Sequence, residues 1–445
     1  MRPIIRFSAT PLSRGISTSA PVLAVAKPKK ATATSKGGKQ GFNQKKKDAT
    51  SGGSGGSGQS NVALKFSMAG QIPDLSDYPK LQSNNYRSEN VGKPTTFSKS
   101  TYDKIKSFGL SKKVDQELSA NGGPASIVRQ STIDLARQLD SAKGKSSKDS
   151  RYVLTGERGS GKSMLLLQSV AYALESGYIV LFNPKATEWT NSSSHYIYDS
   201  STQFFNQWES SQTILSNLSL NNKDKLDQIN LIEDIDFSSI PGVKNLTKGT
   251  KLSELVSLGS KDDRLSVKAL DQVMSVLEQQ TQFPVIWAID EVQTLFKISE
   301  YRTPDYTPIE PYHLSTPRLA LDFISGRRSF AKGTILTSLS LSDPKNLPSS
   351  SLIQGLSLKS TKEITPYEKL NEYHLLHSKS GLKKIEIPFN MSIKEIQGLY
   401  QLYIRKGLTS NNQSDDLFME LINSSQGNPF EIKRGLNRLR GIITA

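Results

Sequence analysis

Cysteine is absent from the 445 residues. Disulfides, thiolate nucleophiles and cysteine-ligated zinc are thereby excluded. Histidine is scarce: the four are His195, His313, His374 and His377. Only the last two lie close together, and no acid stands beside them in a zincin pattern. They read as ordinary surface or lid residues, not metal ligands. No apolar run approaches the length needed to cross a bilayer, so no membrane span is expected. Acid is missing from the N-terminus: residues 1–47 carry eleven Lys or Arg, and the first acid is Asp48. The whole chain has 57 basic and 41 acidic residues, so 46 basic residues remain beyond that stretch. The formal charge of +16 is therefore concentrated at the N-terminus, and the body is only mildly basic. Composition alone does not show a nucleic-acid surface there.

The first twenty residues, MRPIIRFSATPLSRGISTSA, space Arg2, Arg6 and Arg14 among apolar residues, Ser and Thr. Such a segment forms a basic amphipathic helix and fits a mitochondrial transit peptide over 1–17. Arg14-Gly15-Ile16-Ser17 resembles a matrix-processing site. Residues 18–60 hold the basic run KPKKATATSKGGKQGFNQKKK and the linker SGGSGGSGQS, and read as a disordered tail. Its lysines either meet RNA phosphates or are solvated charge; composition leaves both open. Residues 61–123, mixed and rich in Pro, Tyr and Ser, read as an extended arm packed on something else.

A folded α/β core is expected over 124–390. Pro124-Ala125-Ser126 reads as the start of a helix running through PASIVRQSTIDLARQL. The segment Gly156-Glu157-Arg158-Gly159-Ser160-Gly161-Lys162-Ser163 matches the phosphate-binding loop pattern in full. It follows a short apolar strand, Tyr152 to Thr155, and precedes an apolar helix, Met164 to Leu174. Each part has a physical purpose. The glycines let the chain turn so that N–H groups face phosphate oxygens, and the helix N-terminus adds its positive dipole end. Lys162 reaches β- and γ-phosphates, and Ser163 offers a hydroxyl to Mg²⁺.

The acid such a loop needs is found at FPVIWAIDE (283–291). A buried strand there ends in Asp290, placed to hold Mg²⁺, and Glu291, placed as the base that polarises water in ATPases of the AAA+ type. Residues 333–340 read as a further strand that brings Ser338 or Ser340 near the γ-phosphate. Strands are also expected at 177–184 and 383–390. Between 191 and 270 lies a long polar insertion, overlapping a helix at 264–280. After Asn390 the pattern turns to amphipathic helices, a helical lid over 391–445. Arg327, Arg328 and Arg434 are the arginines considered for a place near the phosphates. The guanine motif Asn-Lys-x-Asp is absent; Asn222-Lys223-Asp224-Lys225 and Ser260-Lys261-Asp262-Asp263 only approximate it, which argues against an ordinary small GTPase.

The order PASIVRQ, GERGSGKS, YIVLFNP with Trp189, FPVIWAID, GTILTSLS and IEIPFNMSIKEIQGLYQLYI resembles the death-associated protein three family of mitochondrial small-subunit ribosomal proteins. The resemblance spans about residues 120–445. It implies an AAA+-like core in the head of the mitochondrial small ribosomal subunit, in the matrix, beside its rRNA and neighbouring ribosomal proteins. It also implies bound GTP or GDP with Mg²⁺, ATP being the alternative. The phosphate site would be Gly156 to Ser163 and the metal acid Asp290, with the nucleotide structural or regulatory and hydrolysis very slow or nil. Glu291 departs from the animal members, which lack an acid there. On chemistry alone, the complete loop and the Asp290-Glu291 pair fit an active matrix ATPase, a chaperone or nucleic-acid remodeller.

Overall fold

The computed structural model describes residues 74–439 apart from 121, 239, 241, 244, 360–364, 366 and 409–413. The expected transit peptide (1–17), the tail (18–60) and the start of the arm lie outside the described residues. In chain order the elements are β1 (Pro94–Thr96), α1 (Lys99–Ser107), α2 (Lys112–Ser119), β2 (Ala125–Ile127), α3 (Gln130–Ala142), β3 (Arg151–Thr155), α4 (Lys162–Glu175) and β4 (Ile179–Asn183). Then come the hairpin β5 (Ile197–Asp199) and β6 (Phe204–Asn206), α5 (Trp208–Leu226), α6 (Leu252–Lys261), α7 (Asp263–Gln279), β7 (Val285–Ile289), α8 (Ser315–Ser325) and β8 (Gly333–Ser338). The chain continues with α9 (Ser350–Leu356), α10 (Glu372–Lys379), β9 (Lys383–Glu386), α11 (Ile393–Arg405), α12 (Asp415–Ser425) and α13 (Pro429–Leu439).

The central sheet has five strands in the order β4-β7-β8-β3-β9, and every neighbouring pair is parallel. Parallel strands need helical crossovers, so both faces are covered and the central strands are largely buried. β7, VIWAI, is buried at every position. Its side chains alternate between two cores. Val285, Trp287 and Ile289 face a core that also holds Leu218, Leu255, Val273 and Phe323 of α5 to α8. Ile286 and Ala288 face the other, with Ile105, Ile133 and Leu166 of α1, α3 and α4. A third cluster joins β2 to the C-terminal helices through Ile127, Met391, Leu399, Tyr403 and Ile432.

Four expectations need correction. The helix read from Pro124 begins only at Gln130; Ala125–Ile127 is a strand paired antiparallel with Pro94–Thr96. The insertion read as polar folds into the body: α5 and α6 bury Ile214, Leu215, Leu218, Leu252 and Leu255 in the larger core. His374 and His377 are neither in the lid nor at the surface. They lie on α10, buried. The segment expected as an extended arm carries helices α1 and α2 among its described residues. No helix among the described residues is long and apolar enough to cross a membrane.

Candidate functional site

Strands β3, β7 and β8 lie together in the sheet, and their C-terminal ends open on one edge. β3 runs into the loop Gly156 to Gly161, which leads directly into α4 at Lys162. The loop turns tightly because Gly156, Gly159 and Gly161 all have positive φ. Of the fourteen residues of α4, ten are buried, so the helix is pinned by packing and its N-terminal amides have a fixed aim.

Lys162 is buried against the loop. Its Nζ donates to the carbonyl oxygens of Gly156 at 2.9 Å and Glu157 at 2.7 Å. Burial pulls its pKa down to about 8, against the opposing pull of Asp290 and Glu157. Ser160 is buried beneath the loop, within 3.4 Å of the same ammonium. Glu157 and Arg158 are exposed at the tip.

Asp290 follows β7 and is 8% exposed. Burial raises its pKa; the Ser163 hydroxyl, the Glu291 N–H, Ser338 and Lys162 all act against that rise. The Glu291 N–H donates to Asp290 Oδ1 at 2.9 Å. The structure thus brings Lys162, Ser163, Asp290 and Ser338 to one place. Ser338 ends β8, and its buried hydroxyl makes no hydrogen bond of full geometry among the described residues. Ser340 stands differently: its N–H and carbonyl are both held by the side-chain amide of Gln293.

Glu291 has φ of 60°, in the left-handed region. Burial raises its pKa, opposed first by Thr187. The Thr187 hydroxyl donates to its Oε2 at 2.5 Å. Next to Asp290, the Asn183 carbonyl accepts from the Asp290 N–H at 2.9 Å. The Asn183 side chain accepts from Trp287 Nε1 at 2.9 Å.

None of the three arginines considered from sequence contacts the loop. Arg328 pairs with Asp271 and Glu278, Arg327 with Asp322, and Arg434 with Glu431. The arginine that does reach it is Arg129, between β2 and α3. Its Nη1 donates to the Ser160 carbonyl at 2.5 Å, and its Nε lies 3.7 Å from Glu395 of α11. Asn428, just before α13, donates from Nδ2 to the Arg158 carbonyl at 3.1 Å, and the Phe430 N–H donates to the Gly159 carbonyl at 3.3 Å. The C-terminal helices therefore sit on the loop through backbone groups. The one available signal for this was the Asn-Pro pair at the start of the last helix, a helix-start pattern that does not say what it packs on.

No group of three or more His, Cys, Asp or Glu side chains gathered for a metal occurs among the described residues. The arrangement offers the buried Lys162 ammonium, a loop of amides at a helix N-terminus, and a hydroxyl–carboxylate pair. Together these suit an anionic ligand carried with a hard cation that keeps most of its waters.

The family model described as mitochondrial ribosomal death-associated protein 3 matches residues 126–435. The chain is 25% identical over 300 residues to small ribosomal subunit protein mS29 of Schizosaccharomyces pombe, covering 66% of this chain and 62% of that protein. It is 25% identical over 212 residues to mS29 of Neurospora crassa, covering 47% of this chain and 44% of that protein. Against mS29 of Mus musculus it is 25% identical over 296 residues, covering 64% and 69%. The chain thus spans less than two thirds of the length of these fungal relatives. With the match extending from β2 to α13, the chain belongs to the mitochondrial ribosomal death-associated protein 3 family.

Proposed function

We propose that the chain is a structural constituent of the small subunit of the mitochondrial ribosome, in the matrix, and that its loop at 156–163 holds a purine nucleotide. The nucleotide is GTP or GDP with Mg²⁺, ATP being the alternative. The small-subunit role is supported by the family and by the names of the relatives. The nucleotide reading is supported by one observation above the rest: Lys162 buried under the loop with Ser163 and Asp290 beside it. The strand order, with the loop strand β3 between β8 and β9, fits the AAA+-like class of phosphate-loop folds.

The donor set fits the group. Lys162 would neutralise β- and γ-phosphate oxygens, and the amides of the loop would bind them. Ser163 and Asp290 would hold Mg²⁺, which supplies charge neutralisation when bound. The buried Ser338 hydroxyl lies beside Asp290 at the same edge. Hydrolysis is very slow or nil on this reading, because Arg327, Arg328 and Arg434 are tied to acids elsewhere and Glu291 is held by Thr187. Contacts with small-subunit rRNA and neighbouring ribosomal proteins belong to the proposal, as does import through the acid-free leader over 1–17.

The second reading, a matrix ATPase of the AAA+ type, has the Asp290-Glu291 pair in its favour. Sedimentation of tagged chain from mitochondrial lysate at high salt separates the two. Comigration with the small ribosomal subunit is expected. A chain that sediments free of the subunit, with brisk nucleotide hydrolysis, overturns the structural role.

A further inference from the structure

The phosphate loop leaves β3 at the C-terminal end of the parallel sheet. The segments at the entries to β3, β8 and β9 lie at the opposite end. These segments, residues 143–150, 326–332 and 379–384, carry nine Lys or Arg and a single acid, Asp149. The segments entering the other two strands, residues 176–178 before β4 and 280–284 before β7, carry no charged residue. The basic excess is thus confined to the β8-β3-β9 half of this end. Arg151, buried at the start of β3, ties the region together. Its Nε donates to the Lys148 carbonyl at 2.9 Å, Nη1 to the Ile324 carbonyl of α8 at 3.0 Å and Nη2 to the Ser380 carbonyl at 2.8 Å. The Gly333 N–H donates to the Lys145 carbonyl at 2.9 Å, and Lys383 Nζ to the Asp149 carbonyl at 2.5 Å. Lys143, Arg327 and Arg328 are paired with acids of α3, α7 and α8. The other six, Lys145, Lys148, Lys332, Lys379, Lys383 and Lys384, form no ion pair among the described residues.

We infer that this six-lysine surface grips the phosphate backbone of double-helical RNA; the inference rests on the small-subunit role proposed above, which supplies the RNA. Like charges held side by side repel one another in the free chain, and a polyanion removes that repulsion. An acidic protein fits less well. Lysine is depleted from protein–protein interfaces, whose centres are apolar and aromatic, and none of the three segments exposes a large apolar side chain. The same lack argues against single-stranded RNA, which is held by bases stacked on aromatic rings. An A-form helix needs neither: it is held by shape and by phosphate contacts, and lysine supplies compact point charges for them. The RNA is then held at the end of the sheet opposite the phosphate loop. A nucleotide at 156–163 is turned away from it, and the two ligands bind independently.

The test is fluorescence anisotropy of the full chain with a labelled RNA duplex of about 20 base pairs, titrated at several salt concentrations between about 50 and 200 mM. The parent is compared with a triple variant, Lys145→Gln, Lys148→Gln and Lys379→Gln. These three side chains make no hydrogen bond among the described residues, so their loss leaves the fold intact, as a thermal melt checks. A second triple, Lys99→Gln, Lys104→Gln and Lys106→Gln, removes the same charge from exposed positions on α1. The basic N-terminus is common to all three proteins and cancels. In the first triple the slope of log affinity against log salt becomes shallower by about two to three, and affinity near 150 mM salt falls by about tenfold or more. The α1 triple changes both much less, and GDP affinity in the first triple equals the parent's. Equal losses in the two triples, or no loss in the first, overturn the inference. So does a first triple that leaves the small subunit at lower salt than the parent while binding the duplex as well as the parent does, which marks an acidic protein as the partner. A chain that sediments free of the small subunit, yet loses duplex binding in the first triple alone, overturns the small-subunit role and leaves the RNA surface standing.

Discussion

The Thr187 hydroxyl donates to the Glu291 carboxylate at 2.5 Å, across the gap between the end of β4 and the end of β7. On the proposed nucleotide reading Glu291 would polarise a water, and Thr187 holds its carboxylate. The expected outcome of Thr187→Ala is a rise in single-turnover hydrolysis on the order of tenfold, below the roughly 10²–10⁴-fold that a positioned general base supplies. Glu291→Gln in the same chain removes the rise. Unchanged turnover in Thr187→Ala would show that the contact does not restrain Glu291.

Gly159 lies under the last helix. A Cβ there would stand 2.5 Å from Asn428 Oδ1 and 2.8 Å from Phe430 Cβ, with φ at +82°. Gly159→Ala is expected to cost about 2 kcal/mol or more in urea unfolding, since steric conflict adds to backbone strain. Gly177 has φ of +84° but nothing within 4 Å of its position, so Gly177→Ala reports the strain alone and should cost less. Equal losses for the two variants would mean that α13 gives way freely.

The site was legible where the physics is local. The loop pattern fixes its own turn and the helix after it, and the β-branched and aromatic run VIWAI can only be a strand buried on both faces. What could not be read depends on partners far along the chain. Ala125–Ile127 is a strand because Pro94–Thr96 lies beside it, while Pro124 looks locally like a helix start. The polar count of the insertion misled for a related reason. Asn222 of α5 is buried and hydrogen-bonds both the N–H and the carbonyl of Val180, satisfying the open edge of β4. Arg129 and Asn428 stand 31 and 270 residues from the loop atoms they bind, a separation that no local pattern encodes.

Arg129 couples the loop to the C-terminal helices. Its guanidinium holds the Ser160 and Pro388 carbonyls and approaches Glu395, which itself caps α11 and accepts from the Gln130 N–H. Arg129→Met is expected to cost about 3 kcal/mol, the scale for breaking a buried pair from one side. Glu395→Gln on that background should cost less than it does alone, with a coupling of about 0.5 kcal/mol or more. Strict additivity in a double-mutant cycle by urea unfolding would show that the two residues act independently.

His374 is buried beside Phe296 and Tyr312, 3.7 Å from Glu310 Oε2. Burial, helped by the nearby His377, lowers its pKa to about 4. The unfolded chain takes up a proton near pH 6.5 and the folded chain only near 4, so stability is lost as pH falls through that window. Glu310, whose pKa burial raises, offsets part of the loss by binding a proton in the folded state. From pH 7 to pH 5 the His374 contribution falls by about 2 kcal/mol. His374→Gln should therefore be less acid-sensitive than the parent in thermal melts at the two pH values; identical slopes would contradict the assignment.

On the proposed function, this member of the ribosomal family carries a nucleotide at its phosphate loop while serving as part of the small subunit. Small ribosomal subunits purified from cells expressing either the parent or Lys162→Ala test it directly, by chromatographic assay of nucleotide released on denaturation. With a nucleotide bound, Lys162 would supply a charge-assisted contact worth roughly 1.5–3 kcal/mol. The expected result is near-stoichiometric purine nucleotide from subunits bearing the parent chain and little or none from those bearing Lys162→Ala. Parent subunits that release no nucleotide, or Lys162→Ala subunits that release as much as the parent, would contradict it.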